Sequence, residues 1–179
     1  MCGIVGVLGS GPVAGPIIGA LKRLEYRGYD SAGVATLENG KLTRRRAAGK
    51  LNNLEARFAA EPLEGSIGIG HTRWATHRRP SEINAHPHAA RRLAVVHNGI
   101  IENFKALRDE LSAKGHVFAT ETDSETAAFA VEDELAQGKS PREAVQAALK
   151  RLHGAFALVY LFEGEENLLI GARRGAPWW

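Results

Sequence analysis

Three helical patterns follow one another between LAVVHNG at 93–99 and AFALVYLF at 155–162, with no strand signal between them. FKALRDELSAKG runs to a stop at Gly115, a glycine suited to the left-handed residue that ends many helices. TETDSETAAFAVEDELAQG gives a second helix, with Thr122 or Asp123 near its start and Gly138 past its end. Ser140-Pro141-Arg142-Glu143 is a capping box with proline at the first helical position, and it opens a helix over 141–152. A doubly wound parallel sheet needs strand and helix to alternate, so this succession argues against one. The strand signals come instead in antiparallel-looking pairs. SAGVATL and LTRRRA flank Asn39-Gly40, a dipeptide that supplies the positive φ angles of a two-residue turn, and AFALVYLF and LLIGARR flank GEEN. Further strands are expected at CGIVGVL, SIGIGHTRW and LAVVHNG, and helices over 12–26 and 52–60. The fold class is α+β in layers.

At 179 residues the chain fits one domain, and 44% hydrophobic with 24% charged residues suits a packed core. No apolar run reaches the roughly 20 residues that cross a bilayer, and the opening MCGIVGVLGSG lacks the basic start of a signal peptide. One cysteine cannot form an internal disulfide, which makes a cytoplasmic location the default. The net charge of +3 comes with short arginine clusters, Arg44-Arg45-Arg46, Arg78-Arg79, Arg91-Arg92 and Arg173-Arg174. No nucleic-acid motif accompanies them, so they are read as solvent-facing side chains and neither a nucleic acid nor a membrane is expected as a partner.

The single cysteine, Cys2, stands directly behind the initiator methionine. Once Met1 is removed, one residue carries both a thiol and a free α-amine. A thiol with a pKa near 8.5 gives little thiolate at neutral pH, whereas an α-amine of pKa about 7.7–8.0 is partly neutral and accepts a proton. Within one residue the direct S–H to N geometry is poor, which favours a bridging water as relay. Three other readings stand beside this one. Cys2 could be a small apolar residue of a core strand. It could pair with a histidine, because His71, His77, His86, His88 and His97 are expected in or beside loops after strands. It could join His77, His86 and His88 on zinc, but that spacing matches no compact ligand pattern, so no metal or other cofactor is expected.

Four stretches decide among them: CGIVGVLG at the terminus, RLEYRGYDSAG at 23–33, HTRWATH with PSEINAHPH at 71–88, and HNGIIEN with ETDSE at 97–125. Together they closely resemble the glutaminase domain of the glucosamine-6-phosphate synthases, which are class II glutamine amidotransferases, over residues 2–177. The resemblance implies an N-terminal-nucleophile hydrolase fold, a four-layer αββα sandwich with two antiparallel sheets. It implies that Cys2 attacks the side-chain amide of glutamine, and that the Asn98 side chain and Gly99 N–H receive the oxyanion. It further implies that Arg73 binds the α-carboxylate with Thr76 and His77 beside it, that Asp123 binds the α-ammonium, and that Trp74 shields the site. On their own residues, Arg73 reads as a surface arginine, Asp123 as a helix N-cap, Trp74 as a core aromatic and Asn98-Gly99 as a tight turn. The implied partners are glutamine and a sugar-isomerase domain or subunit that binds fructose 6-phosphate and is absent from this chain.

The alternatives are a non-catalytic glutamine-sensing module and an amidotransferase subunit serving another acceptor, with Trp178-Trp179 as a possible docking anchor in a free-standing subunit. One residue departs from the pattern. The family loop reads HTRWATHG, and here position 78 is arginine. If glycine serves there for a left-handed backbone, arginine costs about 1–2 kcal/mol in the same conformation. Arg78→Gly is therefore expected to lower the KM for glutamine; steady-state kinetics with an unchanged KM would contradict it.

Overall fold

The computed structural model describes residues 2–27, 30–73 and 81–175. The first half runs β1 (Gly3–Leu8), α1 (Ala14–Leu24), β2 (Ser31–Glu38), β3 (Lys41–Ala48), α2 (Leu51–Ala60) and β4 (Ile67–Arg73). The second runs β5 (His88–Ala89), β6 (Leu93–Ile101), α3 (Phe104–Ala113), α4 (Asp123–Ala136), α5 (Pro141–Arg151), β7 (Gly154–Phe162) and β8 (Leu169–Arg174). The strands form two four-stranded sheets, ordered β1-β4-β2-β3 and β5-β6-β7-β8, with antiparallel neighbours throughout.

Alternation along the strands turns two faces of each sheet to different cores. Ala32 and Val34 of β2 join Ile17, Ile18 and Leu21 of α1 and Leu51 and Leu54 of α2 in one cluster. Ala35, Leu37, Ile67 and Ile69 meet Ala94, Val96, Val159 and Leu161 in a second cluster between the sheets. Val95, Leu158 and Tyr160 pack against Leu107, Val131 and Val145 of α3, α4 and α5 in a third. Three cores separate four layers, helix, sheet, sheet and helix, as the αββα expectation requires. Each fully buried aliphatic side chain contributes about 1.5–3 kcal/mol, so the sandwich needs no covalent staple.

Local signals account for most boundaries. Asn39 and Gly40 turn the β2–β3 hairpin with φ of 51° and 78°. Ser140 and Glu143 complete the capping box of α5, and Gly115 follows α3 with φ of 94°. Two local readings are corrected. Asn98-Gly99 is not a turn, because β6 continues through it to Ile101, with Asn98 opposite Ala157 and Gly99 opposite Phe156. The N-cap of α4 is Thr122, whose hydroxyl accepts from Glu125 N–H, and Asp123 is the first helical residue.

Several clustered arginines do not simply face solvent, because their side chains bond carbonyl groups. Arg44 Nη1 donates to Pro87 O at 3.1 Å, and Arg46 Nη1 to Ile83 O and Ala85 O, both at 3.1 Å. Arg45 Nε donates to Glu61 O at 3.1 Å, and Arg174 Nη2 to Leu149 O at 2.9 Å. Burial pushes Arg46 down to about 10, still protonated at neutral pH. β3 thus holds segment 83–87 against the inter-sheet gap, where it crosses Gly33 of β2. A Cβ at Gly33 would lie 2.1 Å from His86 O. That contact is with backbone, which cannot swing aside. Gly33→Ala is expected to cost about 1–3 kcal/mol of stability through forced backbone movement; urea unfolding with an unchanged midpoint would contradict it.

Candidate active site

β1 begins beside the end of β4. Its register pairs Gly3 with Thr72 and Ile4 with His71, so the next step sets Cys2 opposite Arg73. A Cβ on Gly3 would meet Thr72 Oγ1 at 2.8 Å and Leu24 Cβ at 2.9 Å, which puts Gly3 on the α1 side. Alternation then sends Cys2 to the inter-sheet face with Ile4. Cys2 is half-buried. Arg73 shares the face of Ile67, Ile69 and His71, is only 9% exposed, and has a buried Nη1 with no hydrogen-bond partner among the described residues. An unpartnered buried guanidinium nitrogen is a place for an anion, and its planar fork suits a carboxylate.

The second sheet approaches from across the gap. His71 Nε2 lies 2.9 Å from His97 O and donates to it, which sets β6 level with the end of β4. Asn98 then falls on the same row as Ala94 and Val96, facing the first sheet. Beyond Val95 and Ala94, no described strand pairs with the outer edge of β6. On that edge Ile101 N–H donates to Asp123 Oδ2 at 3.0 Å, and His97 O accepts from His71. By the two-residue period the Gly99 N–H lies on the same edge, midway between those anchored positions. Gly99 has φ of 136°, and a Cβ there would lie 2.2 Å from Ala155 O, so the kink that aims this amide admits only glycine.

Asp123 stands at the start of α4 with its side chain 24% exposed. Its Oδ1 is 3.8 Å from His97 Nδ1 and 3.5 Å from Ser124 Oγ. Of the expected site residues, Cys2 and Arg73 therefore gather on the first sheet, and Asn98, Gly99 and Asp123 on the second sheet and its helix, all toward one end of the sandwich. Trp74, Thr76 and His77, together with Arg78 and Trp178-Trp179, lie outside the described residues.

His86 lies in the loop expected of it and His88 at the first residue of β5, but the other two described histidines of that set are within strands. His71 and His97 lie inside β4 and β6, and with His86 and His88 they are at most 5% exposed. The rings of His71 and His86 stack at 3.9 Å, and His88 meets His86 edge-on at 4.5 Å. His86 Nε2 and His97 Nδ1 each lie 2.8 Å from Ser124 Oγ. Among the described residues no group of three possible ligands gathers to hold a metal. Period-two alternation in SIGIGHTRW could have marked His71 as inward-facing with Ile67 and Ile69; nothing in the sequence marked Ser124.

Comparison with known proteins shows the family. Residues 71–175 match the glutamine amidotransferase domain family. The chain belongs to that family. Curated relatives extend the match to nearly the whole chain. It is 67% identical over 177 residues to glutamine–fructose-6-phosphate aminotransferase (isomerizing) of Brucella abortus, covering 99% of this chain and 29% of that protein. It is 64% identical, with the same coverage, to the protein of that name from Bradyrhizobium diazoefficiens. The chain thus spans under a third of these relatives' length. In fold it is similar to glutamine phosphoribosylpyrophosphate amidotransferase from B. subtilis, with a TM-score of 0.82 at 24% identity, covering 97% of this chain and 37% of that one. The amidotransferase fold is the N-terminal-nucleophile sandwich expected from the sequence.

The buried imidazoles carry a pH dependence. Burial pushes His71 down to about 3 from the ordinary 6.5, and pushes His86 and His88 well below it. Burial also lowers His97, against an upward pull from Asp123. Between those folded values and 6.5 the unfolded chain binds protons that the native state does not. Stability is therefore insensitive to these groups above pH 6.5 and falls as pH drops below it, by up to about 1.4 kcal/mol per pH unit for each imidazole. Thermal melts from pH 7.5 to 4 should show a Tm falling steeply below 6.5; a Tm unchanged to pH 4.5 would contradict this.

Proposed function

We propose that the chain hydrolyses the side-chain amide of glutamine to glutamate and ammonia through Cys2 as N-terminal nucleophile. The observation that carries the reading is the end of the sandwich where the β1–β4 register, extended by one residue, brings Cys2 beside Arg73, whose buried Nη1 has no partner among the described residues, with Asn98 on the row of β6 that faces the first sheet. Family membership supplies the substrate class.

After Met1 is removed, the Cys2 thiol loses its proton through water to the α-amine. The thiolate attacks the amide carbon of glutamine, and the carbonyl oxygen becomes an oxyanion that accepts from the Asn98 side-chain amide and the Gly99 N–H. The α-ammonium returns the proton to the amide nitrogen, the C–N bond breaks, and ammonia leaves a γ-glutamyl thioester. Water then attacks the thioester, giving its proton to the amine, and the C–S bond breaks to release glutamate. Arg73 holds the substrate carboxylate and Asp123 its ammonium. No cofactor enters these steps.

The relatives at 64–67% identity carry fructose 6-phosphate in their names, which supports that sugar as the amino acceptor. On that basis the domain spans residues 2–177, and the ammonia it releases serves glucosamine 6-phosphate synthesis on a sugar-isomerase part of a longer protein or on a separate subunit. Protein beginning at Cys2 should release glutamate and ammonia in equal amounts. Cys2→Ala should release neither, and Asn98→Ala should lower kcat by about 10²–10³. Ammonia release that survives Cys2→Ala would refute the reading.

A further inference from the structure

The four side chains His71, His97, Ser124 and His86 close a circuit through four separate segments of the chain. His71 of β4 donates from Nε2 to the backbone oxygen of His97 at 2.9 Å. The His97 ring of β6 meets Ser124 Oγ of α4 at 2.8 Å, and that oxygen meets His86 Nε2 at 2.8 Å. His86, from the segment held over Gly33, stacks back on His71 with ring centroids 3.9 Å apart. None of the four enters the proposed chemistry, and all are at most 5% exposed. Yet Arg73 stands two residues from His71 on the same strand face, Asn98 follows His97, and Asp123 precedes Ser124.

The proton positions of the circuit follow from what each atom faces. His71 Nδ1, His86 Nδ1 and His97 Nε2 are buried and have no partner among the described residues. A bare lone pair tolerates that position better than an N–H, which would be a buried donor without an acceptor. His86 must then carry its proton on Nε2 and His97 on Nδ1, and both donate to Ser124 Oγ. A hydroxyl accepts two hydrogen bonds and donates one, and the remaining O–H has Asp123 Oδ1 at 3.5 Å. Every other assignment strands at least one buried imidazole N–H.

We propose that His71, His86, His97 and Ser124 form a closed positioning ring for the glutamine site, with protons on Nε2 of His71, Nε2 of His86 and Nδ1 of His97, and with Ser124 donating to Asp123. These are positioning residues: they touch no substrate, and they hold Asn98, Arg73 and Asp123 in one frame across the gap. The role in catalysis rests on the glutaminase reading above; the ring and its tautomers do not.

The test uses ¹⁵N-histidine-labelled protein beginning at Cys2, with long-range ¹H–¹⁵N spectra at pH 7. The expected pattern is an Nε2–H tautomer for His71 and His86 and an Nδ1–H tautomer for His97. An Nε2–H tautomer at His97, or a doubly protonated ring at any of the three, overturns the proposal. Ser124→Ala should lower kcat/KM for glutamine at least tenfold while the rate of Cys2 alkylation by iodoacetamide stays within twofold, and Ser124→Thr, which keeps the hydroxyl, should recover most of the loss. A Ser124→Ala enzyme within twofold of the parent in kcat/KM overturns the positioning role. If the parent releases no ammonia, the glutaminase reading fails, and the tautomers together with amide exchange at Gly99 and Ile101 decide the ring. That exchange should be at least tenfold faster in Ser124→Ala, and equal exchange overturns the proposal. If Ser124→Ala does not fold, the tautomers of the parent and the kinetics of Ser124→Thr decide it.

Discussion

The hydrogen bond from His71 Nε2 to His97 O, 2.9 Å across the gap between the sheets, sets the level at which the two halves of the molecule meet. Sheet-on-sheet packing of Ala35, Ile67, Ile69, Val96 and Leu161 is apolar and non-directional, and by itself would tolerate sliding along the strands. A buried donor that must find its acceptor does not tolerate it. With this contact made, Arg73 and Asn98 both lie on the inter-sheet faces toward the same end of the sandwich. Gly33, next to His71 in the β2–β4 register, leaves the room that admits segment 83–87 and brings His86 onto the ring.

Each side of the gap then supplies a different kind of group. The first sheet brings the sulphur of Cys2 and a guanidinium whose Nη1 has no partner among the described residues; the second brings amide donors and, from its helix, a carboxylate. On the proposed reading that division suits glutamine, which presents an amide at one end and a zwitterion at the other. Burial holds the His71 pKa at about 3, and its ring nitrogen is committed to a backbone oxygen. An imidazole so placed is a poor base at neutral pH; the α-amine of Cys2 is a better one.

Most of the layer order was legible because its signals are local. The Asn39-Gly40 turn, the Ser140-Glu143 capping box and the glycine after α3 each act within a few residues. The Cys2, Arg73 and Asn98 positions came from motifs. What could not be read were relations between segments distant in sequence. Asn98-Gly99 has the composition of a turn, and only pairing with Ala157 and Phe156 on β7 keeps it extended. The arginines of β3 have the composition of a solvated face, and only the arrival of segment 83–87 gives Arg44 and Arg46 carbonyls to bond. Ser124 is an unremarked serine until His86 and His97 converge on its oxygen from two other elements.

The most direct measurement is the intact mass of protein beginning at Cys2, quenched in acid during steady turnover of glutamine and then digested to locate any adduct. The account predicts an added γ-glutamyl group carried by the N-terminal peptide and removed by hydroxylamine, as a thioester would be. Turnover with an acyl group found on any other residue would contradict it.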